Sequence, residues 1–139
     1  MLTFNHKSLV QLRFNDADSL GHINNSVYFS FYDLGKSEYF KAVNGEAILP
    51  QDIDIVIVHV EVDFLAPVFL SDEIEVQTVV SEIGNKSLTL VQRIVDVKSG
   101  TIKCVCKTVM VGFDQKTQTS KPVSDHWRKA ISAFEKREF

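Results

Sequence analysis

Cysteine is scarce in this chain: Cys104 and Cys106 are the only two, and they sit one residue apart. On an extended strand such a pair shares one face at roughly 6.5–7 Å, the outer limit for a disulfide. Reduced core thiols are the expected state. No further Cys or His stands nearby at a metal-ligand spacing, so no metal site is expected. The 3 prolines and 6 glycines gather into no linker, and there is neither an internal repeat nor a low-complexity tract. No apolar run approaches the ~20 residues that a membrane span needs. An excess of basic charge is also missing. The net charge is −3 and the pI about 5.8. A general nucleic-acid binder needs a basic surface to displace phosphate counterions, so that class is disfavoured. A local basic patch for one phosphorylated ligand remains compatible. Residues 1–7 hold no uninterrupted apolar stretch of the secretory kind, and together with the thiols this points to the cytoplasm.

What is present fits one globular domain over residues 1–139. Hydrophobic residues make up 45% and charged residues 24%, enough to bury a core without resembling a disordered chain. The patterning predicts a first strand over 7–14, a polar loop over 15–23 and a helix from about Asn24 to Val43. Asn24 or Asn25 is its expected cap and Gly45 its expected stop. Val27, Tyr28, Phe31, Tyr32, Leu34, Gly35, Tyr39, Ala42 and Val43 form a wide apolar arc, with Phe29 and Phe40 outside it. Such a helix is expected to be buried on more than one side. Gly35 would let a sheet or helix approach closely. Glu38 falls inside the arc, as a buried structural carboxylate or as a site acid.

From residue 53 the period becomes extended. Strands are expected over 53–65, 72–83, 87–97 and 101–113, with hairpin signals at Gly84-Asn85 and Ser99-Gly100. A short terminal helix is expected from Asp125 to Lys136. Strand, long helix, then four strands is an α+β pattern: a five-stranded antiparallel sheet able to curl around the helix. Its second face and edge strands need cover, which suggests an oligomer.

The chemistry concentrates between Arg13 and Glu38. Asp16 and Asp18, Gly21 and His22, then Asn24 and Asn25 lead straight into the aromatic helix. A carboxylate beside the positive end of a buried helix is a workable hydrolytic site.

The element order and the run from Asp16 to Tyr28 resemble the hotdog-fold acyl-CoA thioesterases of the 4-hydroxybenzoyl-CoA thioesterase type. Acyl-carrier-protein thioesterases of the same fold carry a similar Asp-x-x-x-His-x-Asn-Asn element, here Asp18 to Asn25. Residues 62–67 and 71–76 match the strand-turn-strand pattern of that family. The resemblance implies a hotdog fold, no cofactor, an acyl-CoA substrate, and a homodimer or homotetramer with active sites at subunit interfaces. It makes Asp18 the catalytic carboxylate and assigns carbonyl polarisation to a backbone N–H at the helix start, at Asn25 or a neighbour. Lys86 and Ser87 match a segment that lies near the nucleotide, although Gly84 and Asn85 replace the arginines that some members carry.

A thioester releases a thiolate without strong acid assistance, because the thiol pKa is about 8.5. The protein must supply an attacking oxygen and hold the oxyanion. Asp18 could attack directly or activate water; alone, it could equally be a turn-capping carboxylate. Asp16 is expected to hold the loop, pairing with Arg13. His22 either orients substrate or bonds within the loop. Asn24 caps, and Tyr28 lines an acyl pocket or belongs to the core. His59, Glu61 and Asp63 share one face of a strand opposite Val58, Val60, Val62 and Phe64. That face is solvated or subunit-facing, unless His59 reaches a neighbouring subunit's site. The competing functions are an acyl-carrier-protein thioesterase and a non-catalytic acyl-CoA binder.

Overall fold

The computed structural model describes residues 1–49 and 52–139. Its elements are β1 (His6–Val10), a short 3-10 turn (Phe14–Asp16), α1 (Val27–Asn44), β2 (Ile55–Phe64), β3 (Ile74–Ile83), β4 (Ser87–Asp96), β5 (Ile102–Asp114), β6 (Thr119–Lys121) and α2 (Asp125–Glu135). One antiparallel sheet runs β1-β3-β4-β5-β2, and β6 pairs with the end of β5. The α+β arrangement matches expectation, but the described residues form six strands rather than five. β6 has too few residues to show a period. It fits because Gly112 has no Cβ, which would collide with the Lys121 carbonyl oxygen.

β1 ends well before residue 14. The Asp16 carboxylate accepts from the Arg13 backbone N–H at 2.9 Å and from Arg13 Nη2 at 3.0 Å, and so turns the chain out of the sheet. α1 starts at Val27, later than expected. Asn24 spends its carbonyl on the Val27 N–H and its side chain on Ser26, which forms a turn ahead of the helix. Gly45 stops α1 as expected: its φ is 82° and its N–H donates to the Lys41 carbonyl.

Tyr28, Tyr32, Gly35 and Tyr39 carry α1 onto the sheet. A Cβ on Gly35 would lie 2.6 Å from Val76 Cγ1 and 2.9 Å from Gln92 Nε2, so this is the predicted close approach. Gln92 Nε2 reaches across the same seam to the Tyr32 carbonyl at 3.0 Å. The apolar arc is shifted, however. Leu34, Ala42 and Glu38 are exposed, whereas Phe40 is buried. The reason is α2, whose Trp127 packs edge-on against Phe40 at 5.3 Å and moves the covered side of α1. Glu38 is therefore not a buried carboxylate in this chain.

In β2, Phe64, Val62 and Val60 pair with Cys104, Cys106 and Thr108 and share their inner face. Val58 does not, because a bulge between Ile57 and His59 takes it out of the alternation. Ile57, Val60 and Phe64 lie on that inner face yet remain exposed, although Tyr28 of α1 meets Phe64. Cys104 and Cys106 are buried free thiols. Burial pushes the Cys104 thiol up to about 11, so it stays protonated.

Candidate active site

The loop before α1 is built on an ion pair between exposed Arg13 and buried Asp16. Asp16 is 2% exposed and takes both Arg13 hydrogen bonds described above. Burial alone would raise its pKa. The Arg13 side-chain bond, the Arg13 backbone N–H and the Arg13 charge together outweigh burial and hold Asp16 below the usual carboxylate range. The Asp16 carbonyl also accepts from the Asn24 N–H at 2.9 Å, which ties the loop to the helix entry.

Asp18 sits at the tip of that loop in a tight turn. Its N–H donates to the His22 carbonyl at 2.8 Å and its carbonyl accepts from the Gly21 N–H at 3.0 Å. Gly21 has φ 77°, a conformation that glycine adopts without a Cβ penalty. Asp18 Oδ1 accepts from the Leu20 N–H at 2.9 Å and the His22 N–H at 3.2 Å. Oδ2 has no hydrogen-bond partner among the described residues. One oxygen is thus anchored and the other is available.

The helix entry shows a similar division. The N–H of Ile23 goes to the Val68 carbonyl and that of Asn24 to Asp16. The Ser26 N–H goes to Asn24 Oδ1, that of Val27 to the Asn24 carbonyl and that of Tyr28 to the Asn25 carbonyl. From Ile23 to Tyr28, Asn25 alone has an N–H without an acceptor among the described residues. It lies just ahead of a long helix, where a partial positive charge accumulates.

Asp18 and Asn25 both line one cavity of about 460 Å³. Asp18, His22, Ile23, Asn24, Asn25 and Tyr28 line it from the loop and helix entry, and residues 64–67 from the end of β2 and the segment after it. Tyr28 is buried. Its hydroxyl accepts from the Val68 N–H at 3.2 Å, and its ring meets Phe64 edge-on at 5.2 Å. Burial raises its pKa, so the hydroxyl keeps its proton. His22 is half-buried, with its ring set edge-on against Phe69 at 4.9 Å.

Five of the eight expected site residues therefore come together: Asp18, His22, Asn24, Asn25 and Tyr28. The other three do not join them within one chain. His59 lies in the middle of β2, exposed and paired with Glu61 at 3.1 Å. Ser87 pairs with Val111, whereas the cavity wall at Phe64 pairs with Cys104. That separation along the strands puts Lys86 and Ser87 roughly 23 Å away, at the far end of the sheet. The wall at Leu65, Ala66 and Pro67 was legible only as part of the fold pattern, because its place in the same cavity as Asp18 depends on sheet register. Among the described residues, no three His, Cys, Asp or Glu side chains gather to hold a metal ion.

A family model described as the Thioesterase-like superfamily matches residues 12–131. The chain belongs to the thioesterase-like superfamily. A solved thioesterase from Thermus thermophilus, complexed with coenzyme A and Zn, is 28% identical, with a TM-score of 0.86 over 100% of both chains. A predicted thioesterase from Bacillus stearothermophilus is 26% identical, with a TM-score of 0.83 over 92% of this chain and 94% of its own. The acyl-CoA thioester hydrolase YbgC of Escherichia coli is 26% identical over 92 residues, which are 65% of this chain and 69% of YbgC. The sheet and helix of this superfamily member thus form a hotdog thioesterase fold.

Proposed function

We infer that this chain is an acyl-CoA thioesterase that hydrolyses its substrate to the free acid and coenzyme A. The observation that carries this reading is that Asp18 and Asn25 line one cavity, Asp18 with Oδ2 free and Asn25 with its N–H unpaired among the described residues. The thioester carbonyl oxygen accepts from Asn25 N–H, which makes the carbon electrophilic. Asp18 Oδ2 either takes a proton from an attacking water or attacks the carbon itself. In both routes the tetrahedral oxyanion stays on the Asn25 amide, and the C–S bond breaks to release coenzyme A thiolate. Direct attack leaves a mixed anhydride on Asp18, which water then cleaves. Coenzyme A named with the Thermus structure and acyl-CoA named for YbgC support this substrate class.

The chain acts as a single domain in the cytoplasm and assembles as a homodimer or homotetramer. The uncovered inner side of β2, with Ile57, Val60 and Phe64 exposed, supports a second copy packing there. His59, Lys86 and Ser87 would then serve a site in a neighbouring copy, with Lys86 and Ser87 near the nucleotide. His22 orients the Asp18 turn through its backbone, and Asn24 shapes the helix entry.

The test is release of free thiol from acyl-CoAs ranging from short aliphatic through long-chain to aromatic. Turnover of one class supports the hydrolase. Tight binding of acyl-CoA without turnover across the panel favours a binding protein, and turnover of acyl-carrier-protein thioesters alone favours that carrier.

A further inference from the structure

We propose that Lys103 is a positioning residue for this site, holding the cavity wall and Tyr28 through a single peptide unit; this rests on the acyl-CoA thioesterase reading. Lys103 lies on β5 with its side chain only 13% exposed. Burying a lysine is costly unless the ammonium is paired and hydrogen-bonded. Here both conditions are met. Nζ donates to the Pro67 carbonyl at 3.1 Å and lies 3.7 Å from Asp72 Oδ2. The Lys103 backbone acts on the same segment, because its carbonyl accepts from both the Leu65 and Ala66 N–H groups at 2.9 and 3.0 Å. One residue therefore fixes three consecutive wall residues: Leu65, Ala66 and Pro67.

The Pro67 carbonyl and the Val68 N–H belong to one planar peptide unit. Lys103 Nζ binds the oxygen side, and the Tyr28 hydroxyl accepts from the nitrogen side. A cation on the carbonyl strengthens the opposite N–H as a donor, since hydrogen bonds in a chain polarise one another. Tyr28 spends acceptor capacity on Val68 and keeps its own proton to donate. The next bonds continue the seam. The Val68 carbonyl accepts from Ile23 N–H at 2.8 Å, and Leu70 N–H reaches the Gly21 carbonyl at 3.4 Å. The wall is thereby zipped to the segment that carries Asp18 and Asn25. Asp72 completes the device from the other side by accepting from the Phe69 N–H at 2.8 Å.

The test combines kinetics with amide exchange. Lys103→Met is expected to lower kcat/KM by about tenfold, mainly through KM, because a displaced wall misplaces bound substrate. Lys103→Arg restores most of the loss, since it keeps charge and donors. Asp72→Asn, which keeps an acceptor for Phe69, gives a smaller loss in the same direction and covers the case in which the methionine variant does not fold. Val68 amide exchange accelerates in both weakened variants, a readout that needs no turnover. Combining Lys103→Met with Tyr28→Phe gives less than the sum of the two losses, because both act on one peptide. Unchanged Val68 exchange overturns the proposal, and so does additivity or a kcat/KM within about twofold of wild type in Lys103→Met. Wild-type protein that releases no thiol counts against the hydrolase reading instead, and the exchange arm still decides the clamp.

Discussion

Asp18 and Asn25 line one cavity, and each keeps a complementary free group: a carboxylate oxygen without a donor and a backbone N–H without an acceptor among the described residues. The backbone N–H groups of Leu20, His22, Ile23, Asn24, Ser26, Val27 and Tyr28 around them are satisfied by the turn and the helix entry. This division lets the loop stay rigid while two atoms remain available for a substrate.

The Asn25 side chain and its backbone should separate cleanly. Asn25→Ala keeps the N–H and should retain activity within a few-fold. Asn25→Pro removes the N–H and should lower kcat by about 10²–10³, the usual cost of one lost oxyanion donor. Thermal melts verify that both variants fold. Equal activity in the two would remove the Asn25 amide from the mechanism.

Gly35 tests the seam between α1 and the sheet. A methyl at this position meets Val76 and Gln92 at distances that real Cβ atoms do not adopt. Gly35→Ala should destabilise the fold by about 1–3 kcal/mol in chemical denaturation, despite the higher helix propensity of alanine. A neutral or stabilising effect would mean that the seam can open.

The response to pH should show two separate windows. Burial lowers the pKa of His6 from 6.5, against the opposing pull of Glu38 and Glu135, so the fold prefers it neutral. Its contribution is fully present above about pH 6.5 and is lost as the pH falls below that unfolded value. Asp16, whose pKa is lowered by Arg13, loses its contribution only at pH values below the ordinary carboxylate range. Denaturation free energy measured from about pH 7.5 to about pH 5 should therefore fall on acidification, and His6→Gln should flatten that slope. An identical slope in His6→Gln would assign the effect elsewhere.

Much of the fold was legible because it rests on local periods and turn chemistry. Gly45 stops α1, Gly84-Asn85 joins β3 to β4, and Gly35 marks a close approach of helix and sheet. Other features depend on neighbours that no local pattern displays. Phe40 became buried because Trp127 came from α2, far along the chain. Val58 left its face because β2 has a bulge, and β6 is too short to carry a signal. The same division holds at the site. Asp18 to Tyr28 are nearly contiguous, so their clustering could be read directly. Residues 64–67 reach the cavity, and Lys103 reaches residues 65–67, only through the pairing of β2 with β5. Lys86 and Ser87 lie at the other end of those strands and do not reach it in one chain.

The most direct measurement compares wild type with Asp18→Asn in steady-state thiol release from the acyl-CoA that wild type turns over fastest. Asparagine keeps an oxygen that can accept from Leu20 and His22, so the turn and the melting temperature should be preserved. kcat should nevertheless fall by at least about a hundredfold, because the amide can neither take a proton from water nor attack the thioester. A folded Asp18→Asn variant that releases thiol at near wild-type rate would contradict the account.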